Sequence, residues 1–436
     1  MNAGKEKLLT GKTLLSILGL TFILFAKTIT YKFVSLDDPA YVTNNPYIKE
    51  FSLSGIAAIF SSFYNFNYHP LTTILYAIEF KLFGLNAAGY HFISLLLHLL
   101  NVVLVFSLLL KITGRKEIAI VCSLLFGVHP MHVESVAWVS EQKDLLYTLF
   151  YLLSIGCYVN YIHNKSKKQY GFTLLFFILS LLSKPAAITL PFILFLLDLY
   201  YGKKFNKISV FEKVPFLLLS TLFAVLTFLS QHSGGALNSE LMPPYSLLQR
   251  VFVVCYTFCF YIFRLVYPAD LAALHYAPQS LSTFMYCSPF FIAALLFLIF
   301  KAKPYKKELV FGLLFYLFSI CLTLQIIPVG YSIVSERYSY VPYIGLLFIF
   351  GNMYVAVSDG KMRYLLFMKP ALRYIFLLMV LACAAVSWQR IDKWKDSESL
   401  FTDLVKKYPN AYHAQFSLGK TQAENKDTTA AIQSFN

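Results

Sequence analysis

The feature that most constrains this chain is an alternation of apolar runs, each close to the length of a bilayer crossing, with short clusters of Lys and Arg. "LLSILGLTFILFA", "ISLLLHLLNVVLVFSLLL" and "YIFLLMVLACAAVSW" are examples, and about 20 apolar residues carry a helix across the hydrocarbon core. Of 436 residues, 58% are hydrophobic and only 14% charged, against roughly 25% charged in a soluble domain. Too little polar surface remains to shield that much hydrocarbon from water. The chain therefore reads as an all-α polytopic membrane protein.

A net charge of +15 invites a nucleic-acid reading, but the cations sit in short clusters between apolar runs and form no continuous basic face. Positive-inside topology accounts for them. Lys5, Lys7 and Lys12; Lys111, Arg115 and Lys116; Lys165, Lys167 and Lys168; Lys203, Lys204 and Lys207; Lys301 to Lys307; and Lys361 to Arg373 mark the cytoplasmic side. Neighbouring clusters must be separated by an even number of crossings. Eight segments obey this, near residues 14 to 33, 90 to 110, 118 to 130, 144 to 162, 171 to 182, 186 to 200, 310 to 327 and 341 to 357. Between Lys207 and Lys301 lie three, near 211 to 230, 250 to 267 and 284 to 300, so one must not cross. The middle one carries Arg250 and Arg264 and is expected to be re-entrant or interfacial on the outer side. With a final span near 373 to 388, eleven crossings result, with the N-terminus inside and the C-terminus outside.

The largest outer loop is then the first, residues 34 to 89, in which "LTTILYAIEFKLFG", with Glu79 and Lys81, is expected as an amphipathic interfacial helix. No small-residue cleavage site follows the first apolar stretch, so it reads as an anchor rather than a removable signal. The seven cysteines lack CxxC spacing and read as packing residues. After Trp388 the composition turns polar. "YPNAYHAQFSLGKTQAENKDTTAAIQSFN" fits a 34-residue tetratricopeptide frame, with Leu418 and Gly419 at positions 7 and 8, Ala431 at 20 and Phe435 at 24. Residues 1–390 are thus expected to form the membrane domain and 395–436 the start of an α-solenoid, with further repeats following.

Positive-inside bias should deplete cations at the outer face, which makes those that remain informative. They are Lys143, Lys184, Arg250, Arg264 and Arg337, joined by His69, His129 and His132. Ionisable groups near a membrane core are expensive and usually functional, and an anionic lipid phosphate is their natural partner. The bland alternative for each is an interfacial anchor or half of a local ion pair. "SLDDPAYVTNNPY" places Asp37 and Asp38 directly after the first span, as a general base and its orienting partner or as an Asx turn before Pro39. "HPMHVESVAWVSEQKDLL" packs His129, His132, Glu134, Glu141, Lys143 and Asp144 into one outer turn. It lacks HExxH spacing, so it suits a phosphate and sugar cradle better than zinc. "LLSKPAAITLPF" puts Lys184 at a tight outer hairpin, and in "SERYSYVPYIG" Arg337 is expected to grip phosphate while Glu336 holds it in place.

Together and in this order, "DDPAYVTNNP", "YHPLTTILYAIEFKLFGLNAAGYHFISLLLH", "HPMHVESVAWVSEQKDLLY", "LLSKPAAITLPFILFLLDLYY", "SERYSYVPYIGL" and "WKDSESLFTDLVKKYPNAYHAQFSLG" resemble the transmembrane and tetratricopeptide-repeat O-mannosyltransferase-like family, closest to its bacterial members. These belong to the GT-C class, which uses polyprenyl-phosphate sugars. Family members often read S-E-R-K-D where this chain has Gln142. The resemblance implies a GT-C bundle and inverting transfer of a sugar, mannose in this family, to a protein Ser or Thr hydroxyl on the non-cytoplasmic face. It implies Asp37 as base with Asp38 beside it, and His129, His132, Lys143, Lys184 and Arg337 around the leaving phosphate. Glu134, Glu336 and His69 would support them. The donor is a polyprenyl-phosphate-linked sugar; a divalent metal has no dedicated ligand set in the sequence. A protein or peptide acceptor, presented by the repeats, and membrane lipids are the expected partners, in a bacterial inner membrane with a periplasmic site or an endoplasmic reticulum membrane with a luminal one. Competing readings are a GT-C transferase modifying a lipid or polysaccharide, a transporter, or a noncatalytic repeat scaffold. No internal repeat of the membrane part and no midplane charges favour a transporter.

Overall fold

The computed structural model describes residues 3–204, 206–233, 245–326, 332–362 and 367–435, with side chains from residue 10 onward. The side chains of Lys5 and Lys7, Arg363 of the last basic cluster, and residue 327 at the end of one expected span lie outside the described residues. Helices dominate. α1 (Ala3–Phe25) leads into the first large loop, which holds α2 (Leu53–Ser61) and α3 (Pro70–Phe83). α4 (Ala87–Thr113) and α5 (Lys116–Val128) follow, and the rod then bends by 57° into the stretch 130–137 containing α6 (Val133–Ala137). Pro130 sits at that break, where it cannot donate to the preceding turn. α7 (Gln142–Asn164), α8 (Lys167–Ser183), α9 (Leu190–Tyr200), α10 (Lys207–Phe211) and α11 (Val214–Ser233) complete the first half. α12 (Leu247–Val266), α13 (Thr283–Lys301), α14 (Lys306–Ile320), α15 (Pro342–Ser358) and α16 (Leu372–Ile391) form the second, before α17 (Ser397–Lys407), α18 (Tyr412–Glu424) and α19 (Thr428–Phe435). Among the described residues one antiparallel pair, β1 (His275–Tyr276) with β2 (Ser332–Val334), joins two loops, with His275 opposite Val334.

Among the described residues seven helices are long and apolar enough to cross a membrane, or eight if the bent pair is one span. This is fewer than eleven because several rods are short: α8 and α15 have 17 residues, α14 has 15 and α9 has 11. Residues 185–200 and 342–358 form shorter apolar helices. The links between the helices gather at two ends of the bundle. One end carries the Lys-rich turns, where Arg115 meets Asp359 at 3.2 Å and Lys307 lies over Tyr200. The other carries the first loop and the links 129–141, 184–189 and 335–341. α14 and α15 pack closely because both contacts are bare backbone: a Cβ on Gly345 would lie 2.5 Å from the Gly312 carbonyl oxygen.

The segment expected not to cross is a continuous 20-residue helix, α12, started by a Ser246–Gln249 capping box. No break makes it re-entrant. Its length and composition suit a crossing, yet its contacts keep both ends near the loop-rich end. Tyr245 donates its hydroxyl to the Pro278 carbonyl just before α13, and the Leu265 carbonyl faces His129 at 3.1 Å. Phe263 touches both Phe284 and Phe291 while Phe252 touches Tyr286, so α12 crosses α13 instead of running beside it. α3, expected as a surface amphipathic helix, is more deeply set: Glu79 is buried and accepts from Gln142 Nε2 at 2.9 Å. α18 and α19 form a hairpin in which the Phe435 ring covers Gly419, where a Cβ would meet it at 2.8 Å.

Candidate active site

The "DDP" turn divides its two carboxylates. Pro39 opens a tight turn over Pro39–Thr43, and this rotates consecutive side chains apart. Asp38 points inward, 1% exposed. It accepts from Val34 N at 2.8 Å, Ser140 N at 2.9 Å and Ser140 Oγ at 2.5 Å, tying the first loop to the link before α7. Burial pushes its pKa up to about 6 against the pull of those hydrogen bonds. Asp37 stays half-exposed, and among the described residues its carboxylate has no hydrogen-bond or ion-pair partner. The Lys143 ammonium lies within Coulombic reach of it and 4.4 Å over the Tyr41 ring.

Lys143, Lys184 and Arg337, far apart in sequence, converge on one carboxylate. Glu141 stands 3.1 Å from Lys143 Nζ, 3.5 Å from Lys184 Nζ and 3.3 Å from Arg337 Nε. Asp144 takes a second, shorter bond from Lys184, and Glu134 pairs with the Arg337 guanidinium while also accepting from its backbone N at 3.1 Å. Three cations thus meet three acids, and all the acids are buried. Sequence reasoning selected the cations and Glu134 but gave Glu141 no role of its own. The available signal was its spacing, three residues before Asp144 on the turn that opens α7, in a region otherwise short of anions.

Glu336 was expected to hold Arg337 and does not. Successive residues of the short helical turn Glu336–Ser339 point in different directions, and Glu336 receives a fork from Arg390, with Nε and Nη2 each at 3.1 Å. Glu134 and Glu141 hold Arg337 instead. Behind it the Arg337 guanidinium lies 5.3 Å over Trp138, Trp138 stacks on Trp394 at 5.3 Å, and Arg390 lies 5.9 Å over the far face of Trp394. Arg390 reaches on to Asp403 at 3.3 Å, and Asp403 accepts from Lys407 at 2.5 Å. The wall behind Arg337 therefore includes residues from the C-terminal helices.

Of the three expected histidines, His129 and His132 lie apart from this hub, and His69 stands at its edge beside Tyr41 and Lys143. His129 Nε2 faces the Leu265 carbonyl at 3.1 Å, and His132 Nδ1 faces the Phe126 carbonyl at 2.8 Å; both are buried among Phe126, Tyr340 and Tyr343. His69 starts α3 and packs on Tyr41 at 5.2 Å, its pKa lowered to about 3 by burial and then by Lys143. Arg250 and Arg264 serve α12, the first reaching the Tyr245 carbonyl and the second Asp270 at 3.9 Å. Among the described residues no group of three His, Cys, Asp or Glu side chains is placed to hold a metal ion.

Fold and site define a polytopic helical membrane protein with a compact charged centre at one end of its bundle. Residues 69–231 match the family described as dolichyl-phosphate-mannose-protein mannosyltransferase. A protein O-mannosyl-transferase of Caenorhabditis elegans is 25% identical over 447 residues, covering 97% of this chain and 62% of the relative. A human protein O-mannosyl-transferase is 30% identical over 220 residues, covering 44% of this chain and 30% of the relative. The chain is similar to these protein O-mannosyl-transferases, and it spans about three fifths or less of the length of these two. Solved structures with a fainter likeness include the Archaeoglobus fulgidus oligosaccharyltransferase, with 12% identity, a TM-score of 0.46, and coverage of 94% of this chain and 59% of that one. Another is ArnT from Cupriavidus metallidurans bound to undecaprenyl phosphate, with 13% identity, a TM-score of 0.39, and coverage of 97% and 81%.

Proposed function

We propose that the protein is a GT-C-type glycosyltransferase that moves mannose from a polyprenyl-phosphate carrier to a Ser or Thr hydroxyl of a protein. The observation that carries this reading is an unpaired carboxylate, Asp37, beside a buried hub of three cations drawn from three chain segments. Asp37 takes the proton of the acceptor hydroxyl as its oxygen attacks the anomeric carbon. The bond from that carbon to the carrier phosphate breaks on the opposite face, with inversion. Negative charge then grows on the phosphate, where Lys143, Lys184 and Arg337 meet it in a site of low dielectric. Glu134, Glu141 and Asp144 keep those cations fixed before the donor arrives, so little reorganisation is needed at the moment of reaction. Asp38 acts through position, anchoring the turn that presents Asp37. The loop-rich end faces the non-cytoplasmic side in this reading, the periplasm of a bacterium or the lumen of an endoplasmic reticulum, and the C-terminal helices present the acceptor as the start of a tetratricopeptide array. The test is incubation of the purified protein in nanodiscs with polyprenyl-phosphate mannose and Ser/Thr peptides, followed by mass spectrometry. A hexose gained by peptide in step with carrier phosphate released is the expected result; donor hydrolysis without peptide product would overturn the assignment of a protein acceptor.

A further inference from the structure

Outside the charged hub, the bundle has a cavity of about 540 Å³ between the end of α12 and the last membrane helix, α16. That volume is in the range of small-molecule sites. One stripe of α16 and its continuation lines it: Met379, Ala382 and Val386, then Arg390 and Lys393. The spacing of three to four residues keeps all five on one helix face, and they extend for roughly 20 Å at 1.5 Å per residue. The stripe is apolar along the part of α16 suited to cross the membrane and turns cationic at its end. Tyr267, Asp270 and Lys407 also line the cavity, Asp270 lying 3.9 Å from Arg264.

Two of the cations are already committed, the buried Arg390 to Glu336 and the exposed Lys407 to Asp403. Lys393 is exposed and, among the described residues, has no hydrogen-bond or ion-pair partner. None of the residues of the charged hub lines the cavity, and the Trp138–Trp394 stack stands behind Arg337 on the side facing Arg390. An amphiphile with its tail along Met379 to Val386 and an anionic head beside Lys393 matches this graded wall in both polarity and length. We propose that the cavity binds one anionic glycerophospholipid of the surrounding bilayer, held by its phosphate head against Lys393 at a site separate from the transfer centre.

The test uses the whole protein in nanodiscs of equal phosphatidylglycerol and phosphatidylcholine, transferred to detergent for native mass spectrometry of retained lipid. One phosphatidylglycerol should be retained in preference to phosphatidylcholine. Lys393→Gln should lower that retention about fivefold, the effect of one basic residue near a membrane surface, while Lys393→Arg keeps it. Ala382→Trp, which fills the apolar part, should abolish retention of both lipids without lowering the melting temperature. Equal retention of the two lipids, or full retention in Ala382→Trp, overturns the proposal. Stoichiometric displacement of phosphatidylglycerol by added polyprenyl phosphate also overturns it and gives the cavity to the sugar carrier.

Discussion

Each end of the bundle contains a buried ionic cluster, and the two are built differently. At the Lys-rich end Asp198 accepts from Tyr158 at 2.8 Å and Ser209 at 3.0 Å, and pairs with Lys203 at 3.0 Å and with Lys213, which is fully buried. Apart from Tyr158, every partner comes from the 15 residues that follow Asp198, so this cluster closes the turn between α9 and α11 like a clasp. The other cluster draws on residues 134–144, 184 and 337, and leaves Asp37 at its edge without a partner. A local cluster whose carboxylate is saturated explains itself by folding. One assembled across distant segments, with a carboxylate left over, requires another reason to exist.

That comparison breaks most directly at Asp37. Asp37→Asn should lower kcat by about 10² to 10⁴-fold, the usual contribution of a positioned base, with an unchanged melting temperature. Near-normal single-turnover transfer from bound donor would move the base elsewhere, with Glu134 the next candidate. Lys213→Met should do the reverse. It takes from Asp198 its fully buried partner and leaves Lys203, Tyr158 and Ser209, a loss of about 1 to 3 kcal/mol, while the molecules that remain folded keep their turnover; a selective loss of kcat in a stable Lys213→Met protein would erase the distinction between the two ends.

Smaller effects sharpen the comparison within the hub. Lys184→Ala and Arg337→Ala should raise the KM for the lipid donor more than that for the acceptor, and a normal donor KM in both would remove them from the donor site. Asp38→Asn should leave most of kcat and cost about 1 to 3 kcal/mol, because its amide turns a donor toward one of the backbone N–H groups that the carboxylate accepts from. Its pH signature has a definite sign. Burial pushes the folded Asp38 carboxyl up to about 6, from an ordinary aspartate value of 3.8, so the wild-type protein binds more protons folded than unfolded in that window and this contribution falls as pH rises through it. The stability deficit of Asp38→Asn should therefore shrink between pH 4 and pH 6 in thermal melts; a deficit that grows would contradict the burial of Asp38.

Much of this organisation was legible in the sequence because it follows from one-dimensional rules. Basic clusters order the chain into rods between two ends, and depletion of cations at one end singles out Lys143, Lys184 and Arg337, which do converge. Pairings across distant segments were not legible. Adjacency suggested that Glu336 serves Arg337, yet a short helical turn separates neighbouring side chains and gives Glu336 to Arg390, 54 residues on. The histidines of "HPMH" had the composition of a ligand set, but the bend at Pro130 turns their rings toward backbone carbonyls. Gln142 donates to Glu79 and to the Tyr90 carbonyl, a contact between the first loop and α7 that no local pattern announces.

The stack from Arg337 through Trp138 and Trp394 to Arg390 bears on where this chain can be cut. Composition places a boundary near residue 390, between a membrane unit and a polar one. A protease nick or truncation there would remove Trp394, Asp403 and Lys407 together, baring one face of Trp138 and depriving Arg390 of its second carboxylate. The change in polarity along the chain is thus not a seam. A separately produced membrane unit should reach beyond Lys407, and a graft of the C-terminal helices onto another protein should carry Arg390 with it.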